Sequence, residues 1–134
     1  MDIKADDVFI YPTDTVWGIG CSIYSKSGFL KIAEIKKTSK DKPLSIMFSS
    51  IDDVYNAFHF SEEVSKIWLQ EFFKLETTLI LPLTSAIIKF PKWSTSDSSY
   101  ISIRCLENDL IKKIYQKTKA PFFVSKPTAK EALL

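Results

Sequence analysis

Residues 11 to 21 read YPTDTVWGIGC, directly after the apolar run VFI at 8 to 10. Two of the chain's three glycines fall here, beside two threonines and an aspartate. VFIYP reads as a buried strand ended by proline. A polar, glycine-punctuated turn behind such a strand is a usual way to bring backbone N–H groups and short hydroxyls close to a ligand. Outward from this turn, SKSGFLKIAEIKK (25 to 37) is an amphipathic helix, with Phe29, Leu30, Ile32, Ala33 and Ile35 near helical spacing. Leu44 to Phe48 is strand-like. Ser50 followed by Asp53 resembles a capping box opening the helix IDDVYNAF, and Ser61 caps a second helix, EEVSKIWLQEFF, whose glutamates suit the helix dipole. Residues 77–83, 87–90 and 100–104 are strand candidates, with KWSTSDSS as a polar loop before the last. A helix near 107–118 and a strand at 120–124 follow, and PTAKEALL begins as a possible helix. That order predicts a mixed α/β sheet with helices packed on it.

At 134 residues the chain is expected to form one domain, and 46% hydrophobic with 13% aromatic residues argues against disorder. Apolar runs such as LILPL are far too short to span a bilayer, and the N-terminus lacks a signal-peptide pattern, so a cytoplasmic location is the default expectation. Cys21 and Cys105, with one histidine (His59), make neither a metal-ligand spacing nor a disulfide framework, and both cysteines read as packing residues. The net charge is +2 but unevenly spread. Residues 26–42 carry six lysines against Glu34 and Asp41, residues 112–130 carry six lysines and no acid, and residues 50–76 carry six acids against two lysines. If the basic segments meet they form a surface suited to the phosphates of a nucleotide or of RNA. If they do not, they are solvated helix faces.

Five blocks in order then point to a family. YPTDTVWGIGCSIY is similar to the first signature of the YrdC/Sua5 family, PTDTvYGLG after a strand, and IAEIKKTSKDKPLSIMF resembles its second, Lys-x-Arg followed by Pro-Leu. TTLIL resembles the family's PGPLTlil segment, YISIRCLEND its tVavRvP segment, and APFFVS the strand before its STSAN motif. The resemblance implies an open, twisted, mixed sheet with helices packed on it and a positively charged concave cavity, a single YrdC-like domain over residues 1–134. It implies threonylcarbamoyl-AMP synthase activity: L-threonine, bicarbonate and ATP, with Mg2+, give threonylcarbamoyl-adenylate and pyrophosphate on the way to the t6A base of tRNA. It also implies tRNA and t6A-transfer proteins as partners, and no membrane.

Such a reaction needs no covalent nucleophile, because the threonine amine and bicarbonate make the attacking carbamate. It needs positioning and positive charge, since two anions are forced together in line. By resemblance, Thr13 and Thr15 line the substrate pocket, with Gly18 and Gly20 letting backbone approach the ligand. Lys36 matches the first residue of Lys-x-Arg and Lys42 the basic position before Pro-Leu. Thr78 matches the threonine of PGPLT, Ser102 and Arg104 match the strand closing the cavity, and Ser125 stands at the start of the degenerate final motif. Arg104 is the chain's one arginine, and its planar five-donor group suits bidentate binding of an anion, or else a salt bridge with Glu107 or Asp109. Asp14 is a conceivable magnesium ligand or an N–H acceptor within its turn.

The chain departs from the family at definite places. Thr38 stands where the family has the arginine of Lys-x-Arg, Lys74, Leu75 and Glu76 replace the PGP turn, and Lys126 and Thr128 fall on the expected Ser and Asn. Two functions follow: a synthase in reduced form, or a catalytically degenerate relative that binds nucleotide or double-stranded or structured RNA.

Overall fold

Among the described residues six strands form one sheet: β1 (Phe9–Pro12), β2 (Trp17–Ser22), β3 (Ser45–Phe48), β4 (Leu79–Pro82), β5 (Tyr100–Cys105) and β6 (Phe122–Ser125), in the order β1-β2-β6-β3-β5-β4. The computed structural model describes residues 3–12, 17–36, 45–75, 77–95 and 98–125. β3 and β5 pair in parallel and every other neighbouring pair is antiparallel. Consequently β2, β3 and β5 all run one way and β1, β4 and β6 the other. One end of the sheet, called lower here, therefore gathers the starts of β2, β3 and β5 and the ends of β1, β4 and β6. The helices are α1 (Lys26–Lys36), α2 (Ile51–Ala57), α3 (Lys66–Phe73), α4 (Lys92–Thr95) and α5 (Asp109–Thr118), with one turn of 3₁₀-helix at Leu83–Ser85.

Side chains alternate across each strand, and the two faces bury different partners. On one face Cys21, Ile46, Phe48, Ile101, Ile103 and Phe123 form a core with Phe29 and Ile32 of α1, Val54 of α2 and Leu69 and Phe73 of α3. Fully burying a side chain such as Phe123 or Ile103 contributes roughly 1.5–3 kcal/mol. On the other face Tyr11, Met47, Phe122 and Val124 pack under Ile111 and Ile114 of α5. Among the described residues α5 is the one helix in that second core. The β4–β5 corner of its face stays open, with Ile80 62% and Tyr100 59% exposed.

Local chemistry explains the element ends. Ser50 accepts a hydrogen bond from the Asp53 N–H at 3.1 Å and opens α2, as the spacing predicts. For α3 the cap is Ser65, not Ser61: the Ser65 hydroxyl oxygen accepts from the Trp68 N–H at 3.1 Å, while the Val64 N–H donates to the Ser61 carbonyl in a preceding turn. Val64 and Leu69 both belong to the core, in the spacing of a hydrophobic staple around that cap. Two other expectations are corrected. Residues 87–90 are not a strand, since only the bridge Phe58–Ala86 forms there, and Ile88 and Phe90 are packed on the core without a ladder. Lys92–Thr95, expected as loop, is α4, and Trp93 lies against Phe29 and Phe123 with ring centroids 5.4 and 6.1 Å apart.

The opening stretch is also corrected. Residues 17–22 are not the polar exit of a strand but a strand themselves, paired to β1 and β6. Its glycines accommodate protein rather than leaving free backbone. A Cβ on Gly20 would sit 2.3 Å from the Phe123 carbonyl oxygen, and one on Gly18 would sit 3.0 Å from the Tyr11 ring. The Tyr11 ring lies across both positions, with Phe9 and Phe122 at 5.7 and 5.3 Å.

Candidate functional site

Ser102 and Arg104 lie two residues apart on β5, so alternation puts both on the α5 side of the sheet, roughly 7 Å apart along the strand. Arg104 pairs opposite Met47 and is 7% exposed. Ser102 pairs opposite Ile80 of β4. Because Leu79 faces Ile103, the residue before it, Thr78, stands level with Arg104 where β4 begins, and it is exposed. Three of the residues expected at the site therefore share the open β4–β5 corner.

At the lower end of this corner Ser102 joins Ser94, Thr95, Ser98, Tyr100, Ile46, Ile80 and Ile101 around a hollow of about 230 Å³. Three of its hydroxyls come from the run STSDSS, which reads on sequence only as a polar loop. The Ser94 and Thr95 hydroxyls donate to the carbonyls of Pro91 and Lys92 at 2.6 and 3.2 Å, and Ser98 Oγ accepts from the Tyr100 N–H at 3.1 Å. Those bonds hold the oxygens in place and leave lone pairs on Ser94 and Thr95 to accept from a bound ammonium or hydroxyl.

The other expected residues attach to this same end from different elements. Pro12 and Trp17, which flank residues 13–16, end β1 and start β2 there. Ser45, which follows residues 37–44, starts β3 there. α1 bears on the opposite face and carries the crossover from β2 to the parallel β3, which brings Lys36, its last residue, back toward the lower end. Ser125 closes β6, its backbone opposite Ile19. Thr13, Asp14, Thr15, Thr38, Lys42, Lys126 and Thr128 lie outside the described residues, and of Lys36 and Ser125 only the backbone is described.

Sequence reasoning missed Tyr11. Its ring is buried, and its hydroxyl is, among the described residues, the one buried side-chain polar atom without a hydrogen-bond partner. Burial holds its ionisation far above the ordinary range of a tyrosine, and the Arg104 charge offsets that only in part. Tyr11 and Arg104 thus share one desolvated region on the α5 side. No group of three or more His, Cys, Asp or Glu among the described residues could hold a metal ion.

Comparisons with known proteins bear on the family and the fold. The Sua5/YciO/YrdC model, described as telomere recombination, matches residues 2–131. A protein of Xanthomonas campestris named threonylcarbamoyl-AMP synthase is 27% identical over 118 residues, covering 85% of this chain and 60% of its own length. One of Histophilus somni with the same name is also 27% identical, covering 87% and 63%. Among solved structures, P. abyssi Sua5 complexed with L-threonine superposes with TM-score 0.66 at 20% identity, covering 89% of this chain and 34% of that one. E. coli YciO does so with TM-score 0.65 at 18% identity, covering 88% and 56%. The chain thus spans about 60% of the length of the curated relatives it matches. With a family match across nearly its whole length and the same open mixed sheet, the chain belongs to the Sua5/YciO/YrdC family.

Proposed function

We propose that this chain is a threonylcarbamoyl-AMP synthase-like protein, a single YrdC-like domain that joins L-threonine, bicarbonate and ATP into threonylcarbamoyl-adenylate and pyrophosphate, the precursor of t6A at position 37 of tRNA. The observation that carries the reading is the convergence at the lower end of the sheet. The flanks of residues 13–16 and 37–44, the end of β6 and the Ser102 hollow all lie at that end, and β5 carries Arg104 two residues beyond Ser102. The curated names of the relatives support it, as does the L-threonine bound by P. abyssi Sua5.

In this reading the hydroxyls of Ser94, Thr95 and Ser102, with those of Thr13 and Thr15, hold the amino acid and ribose by hydrogen bonds. Cations carry the electrostatics. The threonine nitrogen adds to bicarbonate carbon with loss of water, and a carbamate oxygen attacks the α-phosphorus as the bond to pyrophosphate breaks. Negative charge builds on the α-phosphoryl and leaving oxygens, where Arg104, Lys36 and Lys42 offset it. Arg104 suits this role because a guanidinium stays charged when buried and can meet two oxygens at once. Thr78, beside Arg104 on β4, contacts the nucleotide, and Ser125 takes the hydroxyl role of the final family motif.

The test is incorporation of ¹³C-bicarbonate. Incubated with MgATP and L-threonine, the protein is expected to yield an adenylate one mass unit heavier than with ordinary bicarbonate, with pyrophosphate in equal amount. Lys36→Ala should lower that rate by roughly two orders of magnitude. Pyrophosphate release that ignores threonine would overturn the reading. The second reading, a non-catalytic binder of nucleotide or structured RNA, is favoured by the exposed lysines of α5 (Lys112, Lys113, Lys117) and by Thr38 in place of the family arginine. It predicts no turnover, and RNA affinity that falls steeply with salt.

A further inference from the structure

At the upper end of the sheet, away from the Ser102 hollow, lies a second cavity of about 270 Å³, where the end of β3, the side of α2 and the last turn of α5 meet. Its apolar floor is Phe48, Ala57 and Ile88, and its rim carries Tyr24, Tyr115, Asp53 and Lys119. Two opposite charges therefore look into one small space without neutralising each other. Among the described residues the ion pairs are Lys66–Asp52 at 3.0 Å and Lys74–Glu71 at 3.2 Å, and neither includes Asp53 or Lys119.

The backbone holds both charges on the rim. Asp53 sits in the first turn of α2, where its own N–H is bound by Ser50. Lys119 ends α5 in the left-handed conformation at φ 56°, with its N–H donated to the Tyr115 carbonyl at 2.7 Å. Burial above all, with Asp53 and Tyr24 beside it, pushes the Tyr115 hydroxyl up to about 12. A protonated phenol beside an aspartate can donate to a carboxylate or lend its ring face to a cation. The volume is below that of a drug-sized pocket and suits a small metabolite.

We propose that this upper cavity is a second ligand site that binds a free α-amino acid with an apolar side chain as its zwitterion. The ligand ammonium is taken by Asp53 with the Asn56 carbonyl beside it and the tyrosine faces around it. Its carboxylate is taken by Lys119, and its side chain lies on Phe48, Ala57 and Ile88. The site is separate from the proposed catalytic end, so it stands whether or not the chain makes an adenylate.

The experiment is a titration of the protein, carrying ¹³C-labelled tyrosine, with L-leucine, N-acetyl-L-leucine and L-leucinamide. The expected result is saturable shifts of the Tyr24 and Tyr115 signals with leucine, and affinity lower by about tenfold or more for the two derivatives, each of which lacks one charge. Asp53→Asn and Lys119→Asn should each weaken leucine by a similar factor, asparagine being chosen at 119 because it tolerates the left-handed backbone. Asp52→Asn, one residue away, should leave it unchanged. The proposal is overturned if leucine leaves both tyrosine signals unmoved, or if the derivatives or the two charge variants bind as tightly as the originals.

Discussion

At the scale of single residues, Gly20 is the position where identity is most constrained by packing. Its missing Cβ is what lets β6 pair at Val124 and the Tyr11 ring lie flat over β2. Gly20→Ala is therefore expected to destabilise the fold by roughly 1–3 kcal/mol or more, read as a lower midpoint in urea. An unchanged midpoint would contradict the close approach. The cysteines were legible in the sequence as packing residues, and they are: both are buried free thiols, and burial above all pushes each up to about 12, with nearby carboxylates adding to it. In the unfolded chain they would ionise near 9. Folding thus keeps protons that unfolding releases, so stability is intact below about pH 9 and falls as pH rises from 9 toward 12. A thiol reagent at pH 8 should leave both cysteines unmodified until denaturant is added. Rapid labelling of the native protein would refute that burial. Arg104 was legible as the one arginine, whereas Tyr11 was not, because nothing in a tyrosine after three apolar residues announces that its hydroxyl will be enclosed. Under the proposed function, replacing Arg104 by lysine should retain folding and lower adenylate formation by about 10²-fold, through loss of the planar fork. Ser102→Ala should lower kcat/KM about tenfold with little change in melting temperature.

At the scale of elements, the strongly periodic pieces were readable and the compromised ones were not. α1, β3, α2, β5, α5 and β6 follow their apolar spacing closely. β2 was hidden because glycines at 18 and 20 weaken its strand propensity, and their reason lies in neighbouring strands, the Tyr11 ring over both and the Phe123 carbonyl against Gly20. The segment 87–90 was misread for the opposite cause, an apolar run between prolines 82 and 91 that packs on the core without pairing. The α3 boundary turned on two serines four residues apart, and what selects Ser65 is the Val64–Leu69 pair that flanks it. Ser65→Ala should therefore lower stability by about 1 kcal/mol, while Ser61→Ala should fall within about 0.5 kcal/mol of the parent. Thermal melts of the two variants check this, and equal losses would assign the cap wrongly. The hydroxyl run STSDSS was visible, but its contribution to the Ser102 hollow depends on α4, whose four residues are too few to show a period.

At the scale of the whole molecule, topology brings together what sequence separates. Helices α1 to α4 load one face and α5 part of the other, which leaves the β4–β5 corner open beside the lower end, where distant segments enter and leave the sheet. A mixed order with β6 inserted between β2 and β3 makes this possible, since it brings the end of β6 next to the starts of both. The fold class was legible from element order alone, but strand order was not, because nothing local states which strands will be neighbours. The amide spectrum of the ¹⁵N-labelled chain, recorded with ATP and L-threonine added singly and together, tests the shared site most directly. The expected result is perturbation centred on residues 13–20, 36–47, 78, 94–104 and 125, larger with both ligands than with either alone. Perturbations scattered over the helix-covered face, or separate patches for the two ligands, would contradict a common site at the lower end of the sheet.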